Sequence, residues 1–280
     1  MKSVFLALAT GLLARLSFAS AAPSSDLYTW SPALASYYSA VAQHIQDARA
    51  SGAGTPTCDL SNVTLPTAPT PLPSPDGLSL SLVVVGRGVQ NYTCANSTAE
   101  ATPVALGALA TLYNASCLAA NYPDLLSMIP NIVLNMPNPS LVDSPTTLGL
   151  SDIDLSGHHF FATNTTPTFE LDSASNPSSH LGIVVGKKAA NSTAPASAPQ
   201  GKYGAVPWLY LSATNASETV GSQGAVRVGA DVNGDEWKAV YRLLTAGGSN
   251  PKTCKGQNAT SEGFSIDYSA VYYFYKGTSS

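Results

Sequence analysis

Charge is scarce in this chain. Only 11% of its 280 residues are Asp, Glu, Lys or Arg, and the 13 Lys and Arg nowhere gather into a basic run. Nucleic acid and anionic membrane need clustered cations, so neither is an expected partner. Beyond the first residues, no apolar stretch reaches the roughly 18 to 20 residues that a bilayer crossing requires, so no membrane span is expected. Residues 272–280 lack the hydrophobic tail that directs a lipid anchor. No Cys-x-x-Cys spacing is present, which argues against zinc and redox readings, and there is no Gly-x-Ser-x-Gly elbow. The strand–helix alternation of a doubly wound parallel sheet is also missing.

What the chain does have is a start that reads as a secretory leader. Lys2 is followed by an apolar stretch over residues 4–14 and by the small residues Ala19-Ser20-Ala21, which predicts a signal peptide over 1–21. Eight Asn-x-Ser/Thr sequons follow, at Asn62, Asn91, Asn96, Asn114, Asn164, Asn191, Asn215 and Asn258. Each one that carries a glycan must face solvent. Leader and sequons together predict a secreted glycoprotein, extracellular or associated with a cell wall.

Cys58, Cys94, Cys117 and Cys254 are an even set, and in an oxidising compartment paired disulfides are the default. Three connectivities are open. The preferred one joins Cys94 to Cys254 and Cys58 to Cys117.

Residues 22–77 read as a helix followed by a connector. Ser31 and Pro32 suit an N-cap and a first helical position, Gly52 suits the end, and Leu34, Tyr37, Tyr38, Val41, Ile45 and Ala48 recur at helical spacing. Pro66, Pro69, Pro71, Pro73 and Pro75 are too dense for helix or interior strand, so 55–77 should be extended. Residues 78–280 read as a β-rich domain. Strands are expected at 78–85, 89–94, 110–113, 159–162, 168–171, 181–186, 206–213, 225–228 and 238–244. The clearest strand is the last, where Phe264, Ile266, Tyr268, Ala270, Tyr272 and Phe274 alternate with Ser265, Asp267 and Ser269. Short helices are expected near 123–136, with Pro130 as an interruption, and 189–201 reads as an exposed loop. The fold class is mainly β: one antiparallel sandwich or barrel-like domain with an N-terminal helix and a short helical insertion.

Gly86-Arg87-Gly88 begins like a dinucleotide fingerprint, but the third glycine is absent and no helix pattern follows. A glycine-permitted turn or bulge between two strand segments is the simpler expectation. No nicotinamide cofactor, and no other cofactor, is expected. Asp231-Val232-Asn233-Gly234-Asp235 resembles part of a calcium loop, yet Arg242 stands where the bidentate Glu belongs, so a turn is expected and no metal.

Five ordered motifs carry a resemblance: 88–94 (Gly-Val-Gln-Asn-Tyr-Thr-Cys), 157–160 (Gly-His-His-Phe), 205–209 (Ala-Val-Pro-Trp-Leu), 241–248 (Tyr-Arg-Leu-Leu-Thr-Ala-Gly-Gly, with Pro251 and Cys254 after it) and 268–275. Over residues 78–276 the chain resembles a secreted β-rich family of unknown function whose fungal members are often labelled malate dehydrogenase. The resemblance implies one extracytoplasmic β domain and brings no catalytic residues. Two departures are visible: Phe169 follows Pro167 where the family usually places Trp, and the segment 118–155 is long. The dehydrogenase label finds no support in the residues.

Polar residues inside apolar motifs are the candidate site: Gln90, His159 and Arg242, with Trp208 beside them. His158 and His159 are adjacent and point to opposite faces of a strand, so they do not easily chelate one metal together; with His180 they could supply two ligands, but no carboxylate spacing completes a set. A buried Arg242 needs a carboxylate or carbonyl partners, or else anchors an anionic ligand. Tyr268, Tyr272 and Phe274 read as core, or as a sugar-stacking face if open. Asp152, Asp154, Glu170, Asp172, Asp231, Asp235, Glu236 and Glu262 supply carboxylates but no pair can be chosen from sequence. The expectation is a non-catalytic protein binding a cell-wall glycan or another small ligand. An extracellular polysaccharide hydrolase and a structural surface protein are the alternatives.

Overall fold

The computed structural model describes residues 31–138, 147–148, 153–171, 181–214, 217–221, 224–231, 233–257 and 263–277. The expected signal peptide, His180, Asp152, Asp172, Glu262 and the sequons at Asn215 and Asn258 lie outside the described residues.

Helix α1 (Pro32–Ser51) forms where the caps place it. The Ser31 hydroxyl accepts from the Leu34 N–H at 3.2 Å, and Gly52 takes a left-handed φ of 63° that glycine adopts without a Cβ penalty. Its Leu34 and Tyr37 are buried. Two further helices, α2 (Ser116–Asn121) and α3 (Pro123–Leu134), fill the insertion. Pro130 does not interrupt α3. It lies buried in the helix, between Ile129 and the equally buried Ile132 and Val133, so packing against the barrel holds a helix that local propensity would break.

Eight strands close into a ring: β1 (Leu78–Thr93), β2 (Val104–Asn114), β4 (Ile153–Thr163), β5 (Thr166–Glu170), β6 (Ile183–Ser192), β7 (Trp208–Ala213), β10 (Trp237–Gly247) and β11 (Phe264–Gly277). Each pairs antiparallel with the next in chain order, and β11 returns to β1. Because β5 bonds to both β4 and β6, the sheet has no open seam there, and the choice between sandwich and barrel falls to a closed eight-stranded barrel. The short β3 (Thr147–Leu148) lies on β4, and the hairpin of β8 (Ser217–Gly221) and β9 (Gly224–Val228) touches β6 through Ile183 and Val228.

Two expectations fail here. No turn or bulge sits at Gly86-Arg87-Gly88, and β1 runs straight through both glycines. Their role is close approach: a Cβ on Gly86 would lie 2.8 Å from the Tyr272 ring, and one on Gly88 would lie 1.9 Å from the Leu109 carbonyl oxygen. The loop expected from residue 189 starts later, because β6 continues to Ser192 in register with Trp208. The buried Ser192 hydroxyl accepts the Thr70 N–H at 2.8 Å and so ties the connector to the barrel.

The core has two layers. Inside the barrel lie Leu82, Val84, Leu112, Phe169, Leu211, Trp237, Tyr268, Tyr272 and Phe274, among others. On the outer wall, Val83, Val85, Tyr241, Leu243, Val271, Tyr273 and Tyr275 pack under the helices and the connector. The connector crosses this wall as an extended strap, and the Tyr241 hydroxyl donates to the Pro73 carbonyl at 2.7 Å. Disulfides join Cys58 to Cys117 and Cys94 to Cys254. Among the described residues, no helix is long and apolar enough to cross a membrane.

The Cys94–Cys254 bond spans 160 residues. In the chain-entropy account such a loop stabilises by about 5 kcal/mol, so Cys94→Ala/Cys254→Ala should lose several kcal/mol. Guanidinium unfolding of the oxidised protein beside the double variant checks this; equal midpoints would mean the bond only follows a fold secured elsewhere.

Candidate functional site

Strand periodicity decides which polar side chains meet. Gln90, at an interior position of β1, is 8% exposed; His159 of β4 is 2% exposed; Arg242 of β10 is 8% exposed. All three belong to the interior of the barrel, and Arg242 stands opposite Tyr272 of β11 in register. Trp208 is one residue out of phase with the inward-facing Leu209 and Leu211, so it packs in the outer cluster instead, apart from the other three.

The interior is organised around two phenols. The Tyr268 and Tyr272 hydroxyls are 2.9 Å apart, and both rings are completely buried. Burial pushes both hydroxyls above the usual tyrosine range; the Tyr272 partner raises Tyr268 further, while the nearby Arg242 charge pulls in the opposite direction on both. Gln90 lies beside Tyr268, and Arg242 beside Tyr272. Tyr92, raised by burial and again lowered by Arg242, donates to the Gly248 carbonyl at 2.8 Å. That bond fastens the 245–254 segment across one end of the barrel. The segment is brought there by a bulge in β10 at Leu244, which has a φ of 49° and is the only non-glycine residue with positive φ among those described. Thr245 then donates to the Val206 carbonyl at 2.6 Å.

Arg242 donates through Nη2 to the Pro207 carbonyl at 2.9 Å. Its Nε and the Gln90 amide nitrogen are buried without a hydrogen-bond partner among the described residues, and no described carboxylate pairs with this guanidinium. Arg87 Nε and the Trp208 indole nitrogen are likewise buried without a hydrogen-bond partner among the described residues, so the contrast with Arg87, the other buried arginine, lies in its charge. Arg87 faces the outer wall, pairs with Asp267 at 3.0 Å and donates to the carbonyls of Gly88 at 2.7 Å and Met136 at 2.9 Å, which secures the end of α3. Arg87 is thus a structural clamp.

His159 lies flat on Phe169, with ring centroids 4.2 Å apart and planes 9° from parallel. Its Nδ1 is 2.9 Å from the Thr168 carbonyl oxygen. A carbonyl only accepts, so Nδ1 carries the proton and Nε2 presents a lone pair. Complete burial pushes the imidazole pKa down to about 3; the Thr168 carbonyl opposes this shift and the Arg242 charge adds to it. His159 is therefore neutral at any ordinary pH.

The carboxylates are elsewhere. Asp154, Glu170 and Glu236 are exposed and Asp235 is half-buried. Asp231 receives the Asn233 and Asp235 N–H groups at 2.9 and 3.0 Å, and Lys276 donates to it at 2.5 Å, which makes a neutralised turn. No group of three or more metal-binding side chains occurs among the described residues. An apolar groove of 270 Å³ lies outside the barrel between the strap and β10, lined by Leu65, Leu72, Pro73, Tyr241 and Leu243, and is separate from the interior cluster. Sequence reading missed the part of Tyr92 and took Tyr268 and Tyr272 only as an aromatic row. Their phenols were the available signal, since a buried hydroxyl needs a partner.

A family model described as "Protein of unknown function (DUF3455)" matches residues 73–276, and the chain belongs to that family. A second, "Protein of unknown function (DUF2990)", matches residues 11–73. The two meet at Pro73, where the strap is bonded to Tyr241. No curated protein and no solved structure matches the chain.

His159 generates a pH dependence of stability. An unfolded histidine titrates near 6.5 and the folded one near 3, so below 6.5 protons favour the unfolded chain. The contribution is complete above 6.5 and is lost as pH falls, at up to about 1.4 kcal/mol per pH unit. Denaturant unfolding between pH 7 and 4.5 should show this slope, and His159→Gln should flatten it. An unchanged slope in the variant would assign the proton to another group.

Proposed function

We propose that this member of the DUF3455 family is a secreted, N-glycosylated, non-catalytic protein that holds a small ligand inside its barrel against Gln90, His159 and Arg242. One observation carries the reading: in the same interior Arg242 Nε and Gln90 Nε2 are buried without a well-formed hydrogen bond, although Gln90 lies against the Tyr268 hydroxyl and Arg242 against that of Tyr272. Each such donor costs roughly 1–3 kcal/mol unless something accepts from it. Gln90 and Arg242 each retain 8% exposure as residues, while the Gln90 Nε2 and Arg242 Nε atoms themselves are covered.

Other observations narrow the alternatives. Tyr268, Tyr272 and Phe274 are at most 1% exposed, whereas a polymeric glycan stacks on open rings. A molecule small enough to enter the barrel fits better than a cell-wall polymer. Hydrolysis of a polysaccharide calls for two facing carboxyl groups, and the described carboxylates lie outside the barrel or in the Lys276 ion pair. Secretion draws support from the leader, from the two disulfides and from the sequon positions. Asn62, Asn96, Asn114, Asn164 and Asn191 are exposed, and Asn91 is half-buried.

The test is thermal melting of the secreted protein with a small-molecule library, beside a polysaccharide pull-down and an assay for released reducing sugar. A small molecule should stabilise saturably, by about 2.7 kcal/mol at a hundredfold excess over Kd. Trp208→Ala should cost roughly 3–5 kcal/mol of stability yet leave that Kd unchanged, because Trp208 packs outside. Retention on polysaccharide without small-molecule stabilisation, or release of sugar, would overturn the interior-binding reading.

A further inference from the structure

We infer that the ligand of the barrel interior is a monoanion, a carboxylate on a small apolar body, anchored by Arg242; this rests on the interior-binding reading above. The argument is one of complementarity. Taking a guanidinium out of water is costly unless an opposite charge meets it. The same chain shows the usual solution at Arg87, which has Asp267. At Arg242 the described neighbours are neutral: the Pro207 carbonyl, the phenols of Tyr92, Tyr268 and Tyr272, and His159.

The unused groups point the same way. Arg242 Nε and Gln90 Nε2 are both donors, and both residues are more than nine-tenths buried. A ligand that satisfies them must accept and need not donate, and an ionised carboxylate is acceptor-only. The charge count is one. Because His159 stays neutral and Lys276, which lies over the interior Trp237, is paired with Asp231, Arg242 is the one interior cation among the described residues without a carboxylate partner, which matches one negative charge rather than two. Leu82, Val84, Phe169 and Leu211 belong to the same buried interior, so a body carried behind the carboxylate has to be small and apolar.

Titration calorimetry of the full secreted chain with matched probes decides this: benzoate against benzamide, acetate against acetamide, and the dianion phthalate. At least one monocarboxylate should bind, its neutral amide at least tenfold more weakly, and phthalate more weakly than benzoate. Gln90→Glu, close to isosteric, introduces an internal carboxylate into the cluster and should abolish monocarboxylate binding while the near-ultraviolet spectrum stays native. Arg242→Met should abolish it as well. Amides that bind as tightly as acids, or benzoate binding that survives Gln90→Glu, would overturn the monoanion assignment and leave interior binding standing. Failure of every probe and every library compound, neutral or charged, would overturn both.

Discussion

The pairing of β1 with β11 is the constraint on which the rest of the molecule depends. It runs from Leu78 opposite Gly277 to Tyr92 opposite Phe264, and it joins the first barrel strand to the last. Without it the sheet would be an open meander with two exposed edges, each a row of unpaired N–H and C=O groups. Both strands are buried on two sides over much of their length. Inward, Val84 and Tyr272 meet in the barrel; outward, Val85, Val271 and Tyr273 lie under the helices. Gly86 makes this possible, since any side chain there would strike the Tyr272 ring. The Ser269 hydroxyl adds a bond of 2.8 Å to the Gly86 carbonyl.

Closure also creates the chemistry. Once eight strands form a ring, a polar residue at an inward position has no bulk water to turn to and must find partners across the barrel. Arg87 and Arg242 lie on neighbouring parts of the same wall, yet one faces out and the other in. The outward residue reaches Asp267 and the end of α3, and its charge is absorbed by the scaffold. The inward residue reaches phenols, a carbonyl and a neutral imidazole, and its charge is only partly answered. That difference turns one arginine into a clamp and makes the other a candidate anchor.

Much of the fold was legible in local sequence. The caps of α1, the prolines of the strap and the alternation in β11 are short-range signals with direct physical causes, and each corresponds to an observed element. The signals that misled were also local. Glycines in β1 resemble a turn, Pro130 resembles a helix stop, and the Ala- and Ser-rich run after residue 188 resembles a loop. In each case packing overrode propensity: the Tyr272 ring and β2 against the glycines, the barrel wall against α3, and β7 against the end of β6. The site was half legible. Gln90, His159 and Arg242 stand out as polar residues in apolar runs, and Trp208, singled out with them as a large aromatic, is sent to the other face by period-two geometry.

By itself, then, the amino-acid order determined the β character, the helix with its ends and the extended strap, because these follow from side-chain periodicity, capping and proline stereochemistry within a few residues. The tertiary structure alone decided that the sheet closes into a barrel, which face each polar residue occupies, and that Gln90, Tyr268, Tyr272 and Arg242 form one interior cluster. Those outcomes depend on strand partners more than 150 residues apart, and no local rule specifies which distant strand will supply the neighbour of a buried charge.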